Sequence, residues 1–182
     1  MSRIPTPATI ADAPTASHPL LDAVNKQLGS VPNLFRIVSN SPAALDGYLG
    51  LNGALGKGRL SHATRERIAL AVAQVNGCDY CLAAHSYMAT NLAKLDAVEV
   101  AANRHGRSGD AKANAAVRFA ANVAQSRGAV PAAEVEAVRA AGYGDGEIVE
   151  IIAHVALNTL TNYINTALGT EIDFPLVEKL AA

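Results

Sequence analysis

The fold class is decided by the stretch Ile68-Ala-Leu-Ala-Val-Ala-Gln-Val75, which is too apolar for a surface helix and is broken only by Gln74. A second stretch, Ile148 to Leu160, is almost as apolar and is interrupted by four polar residues. Since a surface helix carries a continuous polar face, both segments are predicted to be central helices. No stretch of the chain alternates with the two-residue period of a strand. The sequence therefore predicts an all-α fold.

Proline, glycine and capping residues predict where the other helices begin and end. Six of the eight prolines lie within the first 42 residues, and the next is Pro131. Ser41 before Pro42 indicates a helix start, and Ser61 and Asp145 are predicted caps. Four glycines follow predicted helix ends, namely Gly77, Gly106, Gly128 and Gly169. The predicted helices span 19–28, 32–39, 42–56, 62–76, 79–93, 96–104, 111–127, 131–141, 146–168 and 175–181.

Length and composition predict one helical domain behind a short arm. The 182 residues suffice for a substantial core. Half of the residues are hydrophobic and only 17% are charged, which favours close helix packing and a homo-oligomer. Residues 1–17 are rich in Pro, Ala and Thr and are predicted to form an extended N-terminal arm, followed by a single domain over 18–182.

The charge pattern argues against nucleic acid and membrane partners. Fifteen Lys and Arg residues balance sixteen Asp and Glu residues, and the basic residues are scattered along the chain. The first residues lack the pattern of a secretory signal, and no apolar run is long enough to cross a bilayer. We therefore expect a soluble, cytoplasmic protein, in which a cysteine pair indicates redox chemistry or metal binding.

Both cysteines of the chain lie in the stretch Gly77-Cys78-Asp79-Tyr80-Cys81-Leu82-Ala83-Ala84-His85. Cysteines three residues apart in the first turn of a helix can form a disulfide with modest local adjustment. His85 follows Cys81 by four residues, so in a helix its imidazole lies on the same face as the Cys81 sulfur. A helix N-terminus and a neighbouring histidine both favour the nucleophilic thiolate. These effects leave open whether Cys78 or Cys81 is the attacking thiol.

Glu66 is the candidate proton carrier for this thiol chemistry. A thiolate that attacks a peroxide O–O bond expels an alkoxide or hydroxide, which needs a proton. Because Glu66 lies one turn before the apolar stretch, we expect partial burial to raise its pKa toward neutrality. Packed against the helix of His85, it would complete a relay to the thiol. The other cysteine would then trap the sulfenic acid as a disulfide, and an external dithiol would reduce that disulfide.

Two other interpretations of the cysteine pair stay open. Cys78, Cys81 and His85 can bind a metal ion with His62 or solvent as the fourth ligand, although the usual second ligand pair is missing. The thiols can also be structural residues that are buried beside a packed histidine. Glu66 alone is typical of a solvated first-turn glutamate, so its predicted role depends on its spacing from the cysteines.

A polar stripe on the second apolar helix is a further candidate site. His154, Asn158 and Asn162 are spaced by four residues, and such groups must be hydrogen-bonded if they are buried. They line a substrate pocket or fix helix ends and subunit contacts, and the structural interpretation is favoured. Tyr80 lies between the cysteines and can shape the pocket. Three other histidines are predicted to be surface residues, namely His18, His62 and His105.

The spacing of the candidate residues resembles that of a known family. The pattern Glu-x11-Cys-x2-Cys-x3-His, from Glu66 to His85, is similar to that of the AhpD-like alkylhydroperoxidases within the carboxymuconolactone decarboxylase superfamily. The flanking segments 31–35 and 154–175 resemble the peroxidase-related branch. The resemblance covers most of the chain, from about residue 30 onward.

This resemblance implies an AhpD-like multi-helix bundle that assembles as a homotrimer or homohexamer, with the active site under an apolar cover. It implies that Cys81 attacks the peroxide and Cys78 resolves it, while Glu66 and His85 relay protons. The implied substrates are hydrogen peroxide or small organic hydroperoxides. The implied electron donor is an external dithiol of the lipoyl or thioredoxin type, and neither a cofactor nor a metal is expected.

One departure from the family pattern lies between the two cysteines. The best-understood members carry a histidine immediately before the second cysteine, whereas this chain has Tyr80. The difference removes one member of the relay and bears on rate, substrate and reductant. The alternative function of a different class is a zinc-binding or redox-sensing module without turnover. Lactone decarboxylation is the least favoured alternative, because the plain decarboxylase branch lacks the cysteine pair.

Overall fold

The structure is a computed structural model that describes residues 2–178. Over this range the chain forms two 3₁₀ helices and nine α-helices, without a strand. The 3₁₀ helices are Ile10–Asp12 and Thr15–Ser17. The α-helices, α1 to α9 in chain order, are His18–Leu28, Asn33–Val38, Pro42–Leu55, His62–Val75, Asp79–Asn91, Ala97–Arg104, Ala111–Ser126, Ala132–Ala140 and Asp145–Leu168. The predicted all-α class is confirmed.

The first nine predicted helices are present with ends within two residues of those observed. The tenth, predicted over 175–181, is wrong for residues 175–178, which are not helical, and the rest of it lies outside the described residues. Residues 174–178 are instead held by contacts with other parts of the chain. Phe174 and Val177 pack on the core, and Arg104 donates a hydrogen bond to the backbone oxygen of Glu178 at 2.9 Å. These contacts hold the segment along the bundle in a non-helical course.

Two of the three predicted N-cap residues do cap a helix. Ser41 and Ser61 each accept a hydrogen bond from the backbone N–H three residues later, as expected of a cap. The prediction for Asp145 is wrong, because Gly144 occupies the cap position of α9. Instead, the Glu147 carboxylate accepts the Gly144 N–H at 2.8 Å, so a carboxylate one turn into the helix satisfies the free backbone donor.

Gly77 joins the two helices that carry the candidate residues. It follows α4 with a φ of +65°, a left-handed conformation that glycine adopts without strain. Two residues later α5 begins, and Cys78 is its N-cap residue. The sharp turn at Gly77 thus delivers the first cysteine directly to a helix N-terminus.

The two apolar segments of the sequence are central helices, as predicted. Helix α4 packs against α5, α6, α7 and α9, and Ile68 and Leu70 within it are fully buried. One core cluster joins Ile68 to Phe119 of α7 and Ile151 of α9. A second cluster contains Leu45 of α3 together with both cysteines. The thiols therefore lie inside a packed apolar region.

Residues 2–17 lie against the rest of the chain. The backbone N–H of Arg3 donates to the oxygen of Leu168 at 2.7 Å, and Ile4 and Ile10 pack on the core cluster that holds the cysteines. The division into an arm over 1–17 and a domain over 18–182 stays a prediction. Among the residues described, no helix combines the length and apolar character needed to cross a membrane.

Candidate active site

The two cysteines occupy the first turn of α5. The backbone N–H of Cys81 donates to Cys78 Sγ at 3.3 Å, so the first sulfur caps the helix. Both residues are free thiols and are almost completely buried. Because helix N-termini carry partial positive charge and unpaired N–H groups, this position stabilises a thiolate.

The surroundings of the two thiols shift their pKa values in opposite directions. A hydrogen bond with Cys81, aided by the backbone N–H of Cys81, the Thr166 hydroxyl and the charge of His85, outweighs burial and lowers the pKa of Cys78 to about 7. The pKa of Cys81 is raised, first by its hydrogen bond to Cys78 and then by burial. The first proton therefore leaves Cys78, and Cys81 needs a base to become a nucleophile.

The structure brings Glu66 and His85 together across the contact between α4 and α5. His85 Nδ1 donates to Glu66 Oε2 at 2.9 Å, and Glu66 is only 7% exposed. The same carboxylate faces a second histidine, with 3.4 Å between His62 Nε2 and Glu66 Oε1. The hydrogen bond to this buried carboxylate fixes the orientation of the His85 ring.

The predicted upward shift of the Glu66 pKa is wrong. Burial does raise the pKa of this carboxyl, but the charge of His85 and the hydrogen bonds from His62 and His85 outweigh it and lower the pKa to about 2. Glu66 is therefore ionised at neutral pH. It accepts the hydrogen bond from His85 Nδ1 and so orients that ring.

His62 was predicted to be a surface residue, with a possible role only as a metal ligand, and the structure places it beside Glu66 instead. Its side chain is 44% exposed, as expected of a surface residue, yet its hydrogen bond to Glu66 raises its pKa. The available signal was its spacing, because His62 and Glu66 are four residues apart and so share a helix face.

Helix α9 contributes a polar contact to the second sulfur. Asn165 Nδ2 donates to Cys81 Sγ at 3.3 Å, and Asn165 is 3% exposed. Asn162, one turn earlier, also lowers the pKa of Cys81 by hydrogen bonding and accepts from Asn76 Nδ2 at 2.9 Å. Since Asn76 is the C-cap of α4, Asn162 connects the sulfur site to the end of that helix.

We expect Asn165→Ala to raise the pKa of the Cys81 thiol further, because the substitution removes a donor that favours the thiolate. The measurement is a pH titration of thiolate ultraviolet absorbance in a Cys78→Ser background, where Cys81 is the remaining thiol. Asn158→Ala is the matched control, since Asn158 is buried on the same helix but donates to the backbone oxygen of His154 at 2.8 Å. Equal titration curves for the two variants would remove Asn165 from the site.

Tyr48 of α3 also lies near the two cysteines and Glu66, and no sequence pattern predicted this position. Burial raises the pKa of its phenol, and the charges of Cys81 and Glu66 raise it further. The phenol is therefore a neutral hydroxyl close to both the sulfur and the carboxylate. Its position depends on the packing of α3 on the site, which no local pattern reveals.

Tyr80, predicted to shape the pocket, ties the C-terminal segment to the site. Its hydroxyl donates to Asp173 Oδ1 at 2.8 Å and accepts from the backbone N–H of Leu34 at 3.1 Å. The ring of Phe174 packs edge-on against the Tyr80 ring. Tyr80 thus links the start of α5 to the segment that carries Asp173 and Phe174. Its direct contact with a substrate stays a prediction.

His154 and Asn158 are buried on α9, as the polar stripe suggested. Burial lowers the pKa of His154 to about 4, so the imidazole is neutral. Its Nε2 has no hydrogen-bond partner within residues 2–178, and Asn158 bonds to the α9 backbone. The predicted contact of these two residues with a substrate stays a prediction.

The metal interpretation gains no geometric support. In the described part of the chain, no three side chains of His, Cys, Asp or Glu are grouped so that they could hold a metal ion. His85 Nδ1 is already directed at Glu66. The arrangement is that of a dithiol with an adjoining carboxylate–imidazole pair.

The fold and this site define the AhpD-like class. The chain superposes on a crystal structure of an AhpD-core, peroxidase-related protein from Ralstonia eutropha JMP134 with a TM-score of 0.84 and 25% identity, covering 94% of this chain and 92% of that one. A peroxidase-related protein from Silicibacter sp. TM1040 gives a TM-score of 0.80 at 24% identity, over 93% and 91% of the two chains. A variant of the debrominase Bmp8 in complex with 2,3,4-tribromopyrrole gives 0.79 at 22% identity, over 95% and 94%.

The central segment of the chain matches a family model. Residues 42–122, which contain Glu66, both cysteines and His85, match the model described as the carboxymuconolactone decarboxylase family. This segment is therefore similar to that family, and the fold of the chain is AhpD-like. A comparison with curated proteins gives no match.

Proposed function

We propose that the protein is a thiol-dependent peroxidase that reduces hydrogen peroxide or small organic hydroperoxides through a Cys78–Cys81 dithiol–disulfide cycle. The observation that carries the proposal is the His85–Glu66 hydrogen bond of 2.9 Å beside two free thiols in one helical turn. It supplies a nucleophile, a resolving partner and an oriented proton carrier, which peroxide reduction requires.

In the first step Cys81 attacks the terminal oxygen of the hydroperoxide. The O–O bond breaks, an S–O bond forms, and the thiol is oxidised by two electrons to sulfenic acid. The raised pKa of Cys81 makes a base necessary, and His85 lies one helical turn after Cys81 on the same face of α5. The imidazole takes the Cys81 proton and passes it to the leaving alkoxide, so the products of this step are Cys81 sulfenic acid and an alcohol.

In the second step Cys78 attacks the Cys81 sulfur. The S–O bond breaks, hydroxide leaves and is protonated to water, and the disulfide forms. A pKa of about 7 leaves a large thiolate fraction on Cys78 at neutral pH, which suits a resolving thiol. The cysteines differ by three positions at the start of α5, so closure needs no rearrangement of the bundle.

A dithiol reductant, of the lipoyl or thioredoxin type, completes the cycle. It breaks the S–S bond by exchange, supplies two electrons and two protons, and leaves as its own disulfide. We propose that the working form is a homotrimer or homohexamer. Apolar residues exposed along α9 support this assembly, including Val149, Ile152, Leu160 and Tyr163.

A single-turnover experiment tests the cycle. The reduced protein, freed of excess dithiol, is mixed with one equivalent of cumene hydroperoxide, and free thiols are counted in the denatured product. We expect the loss of two thiols per chain and the appearance of one equivalent of cumyl alcohol. Unchanged thiols after a long incubation would end the proposal, and stoichiometric zinc in the untreated protein would favour a metal-binding module.

Reductive debromination is a second candidate, favoured by the structural likeness to a debrominase bound to a tribromopyrrole. The same groups balance that reaction. The thiolate takes the bromine, the carbon takes a proton from His85, and the second thiol displaces bromide to form the disulfide. Replacing the hydroperoxide with 2,3,4-tribromopyrrole in the single-turnover experiment separates the candidates, because bromide release with thiol loss would identify the second.

A further inference from the structure

A cavity of about 350 Å³ lies on the side of α4 that faces α6 and α7. Its volume falls within the range of sites for small molecules. Its walls are the C-terminal half of α4, the turn between α6 and α7, and one face of α7. None of Glu66, Cys78, Cys81 or His85 contributes to its lining, so the cavity is separate from the thiol site.

Positive charge dominates the lining of this cavity. Arg104 and Arg107 come from the end of α6 and the turn after it, and Arg118 comes from α7, with His105 between the first two. Within the described range, no acidic side chain lines it. Three guanidinium groups around one depression repel each other unless an anion is present, and this chain has a net charge of only -1 overall.

Two of the three arginine side chains have no partner among residues 2–178. Some other arginines pair with a carboxylate, as in the 2.7 Å contact between Arg67 and Glu99. The side chains of Arg107 and Arg118, by contrast, make no hydrogen bond or ion pair with any residue that the structure describes.

Two acidic side chains near the cavity have contacts with other residues. The charge of Asp79 acts on Arg104, which also donates to Gln74 Oε1 at 3.0 Å. Glu134 accepts a hydrogen bond from Asn122 at the edge of the cavity. Arg107 and Arg118 are therefore exposed cations without a partner in the described part of the chain, whereas hydrogen bonds hold Arg104 in place.

A buried network holds the turn that presents Arg107. Asn103 is completely buried, and its Nδ2 donates to the backbone oxygen of Arg107 at 2.8 Å and to Glu99 at 2.9 Å. Gly106 has a φ of +70°, and a Cβ placed there would lie 3.3 Å from the Cβ of Ala121. The turn is thus packed tightly on α7, which places Arg107 on the same rim as Arg118.

We propose that this cavity is a binding site for a small organic anion that carries a carboxylate or phosphate group. The guanidinium groups of Arg107 and Arg118 bind the anionic group, because planar forked donors match carboxylate and phosphate oxygens. The apolar part of the ligand would contact three apolar side chains of the lining, namely Ala71, Val75 and Ala121. The site does not depend on the proposed peroxidase activity.

Calorimetric titration of the full chain with inorganic phosphate and, separately, with citrate tests the site. We expect saturable binding of one or both probes at one equivalent per chain, weakening as salt is added. In Arg107→Gln/Arg118→Gln, affinity should fall by about tenfold or more, since each lost charge-assisted bond is worth roughly that factor. Lys26→Gln/Lys57→Gln is the matched control, since it removes two exposed charges elsewhere and should bind like the wild type.

Amide chemical shifts of the wild-type protein give a reading that does not depend on the variants. Phosphate or citrate should move the backbone signals of Gly106, Arg107 and Ala121 along one saturable curve. Preference for phosphate or for citrate tells which anionic group is recognised. The proposal is overturned by the absence of saturable binding of both probes, by equal affinity of all three proteins, or by shifts confined to another surface.

Discussion

Cys81→Ser is expected to abolish hydroperoxide reduction, with the rate falling by at least about a thousandfold, as removal of a nucleophile does in other covalent enzymes. The serine hydroxyl cannot take up the peroxide oxygen, and no other thiol of the chain can replace Cys81 beside Asn165. The measurement is steady-state consumption of cumene hydroperoxide with a dithiol reductant. Retention of even a tenth of the wild-type rate would contradict the assignment of Cys81 as the attacking thiol.

Cys78→Ser is the matched control, because it removes one sulfur from the same turn and leaves the other. We expect this variant to consume one equivalent of peroxide and stop, with sulfenic acid on Cys81 that dimedone can trap. Cys81→Ser should give no trapped adduct. The reverse pattern would make Cys78 the attacking thiol, in agreement with its lower pKa, and would leave Cys81 as the resolving one.

The helical framework could be predicted from the sequence because its signals are local. The apolar run before Val75, the left-handed position at Gly77 and the serine caps act within a few residues, and the structure places helix ends close to the predicted ones. The relative positions of the two cysteines and His85 could also be predicted, since their spacing in the sequence places them on one helix face.

Contacts between distant segments could not be predicted in this way. Asn165 reaches the Cys81 sulfur from a helix 84 residues later, and Tyr48 approaches it from a helix earlier in the chain. The non-helical course of residues 175–178 likewise follows from partners elsewhere, such as Arg104. Local preference gives way where such tertiary contacts are available.

The sign of the Glu66 pKa shift shows the same limit within one site. Burial was correctly expected from the apolar stretch, and burial alone raises the pKa of a carboxyl group. The sign reverses because two histidines face one carboxylate, and the contact with His85 exists only when α4 packs on α5. The sequence thus indicated that Glu66 and His85 lie together but gave the wrong direction for the shift of the Glu66 pKa.

Glu66→Gln is expected to lower the rate of hydroperoxide reduction by about a hundredfold to ten-thousandfold, the usual contribution of an acid–base group and its support. The amide keeps the shape but loses the charge that orients His85 and balances its protonated form. A second readout is the NMR titration of His62, whose raised pKa should fall toward its ordinary value once the carboxylate is gone. Glu136→Gln, an exposed change on α8, is the matched control and should alter neither quantity.

The pH dependence of the unfolding free energy shows whether Glu66 is ionised or protonated in the folded protein. The pKa of Glu66 is lowered from 4.5 to about 2, so its charge contributes stability that is fully present above about pH 4.5 and is lost as the pH falls toward 2. The difference in unfolding free energy between wild type and Glu66→Gln should therefore be largest near neutrality and shrink in acid. A difference that grows as the pH falls below 4.5 would mean that Glu66 is protonated in the folded protein, and His85 would then lose its place as the proton carrier.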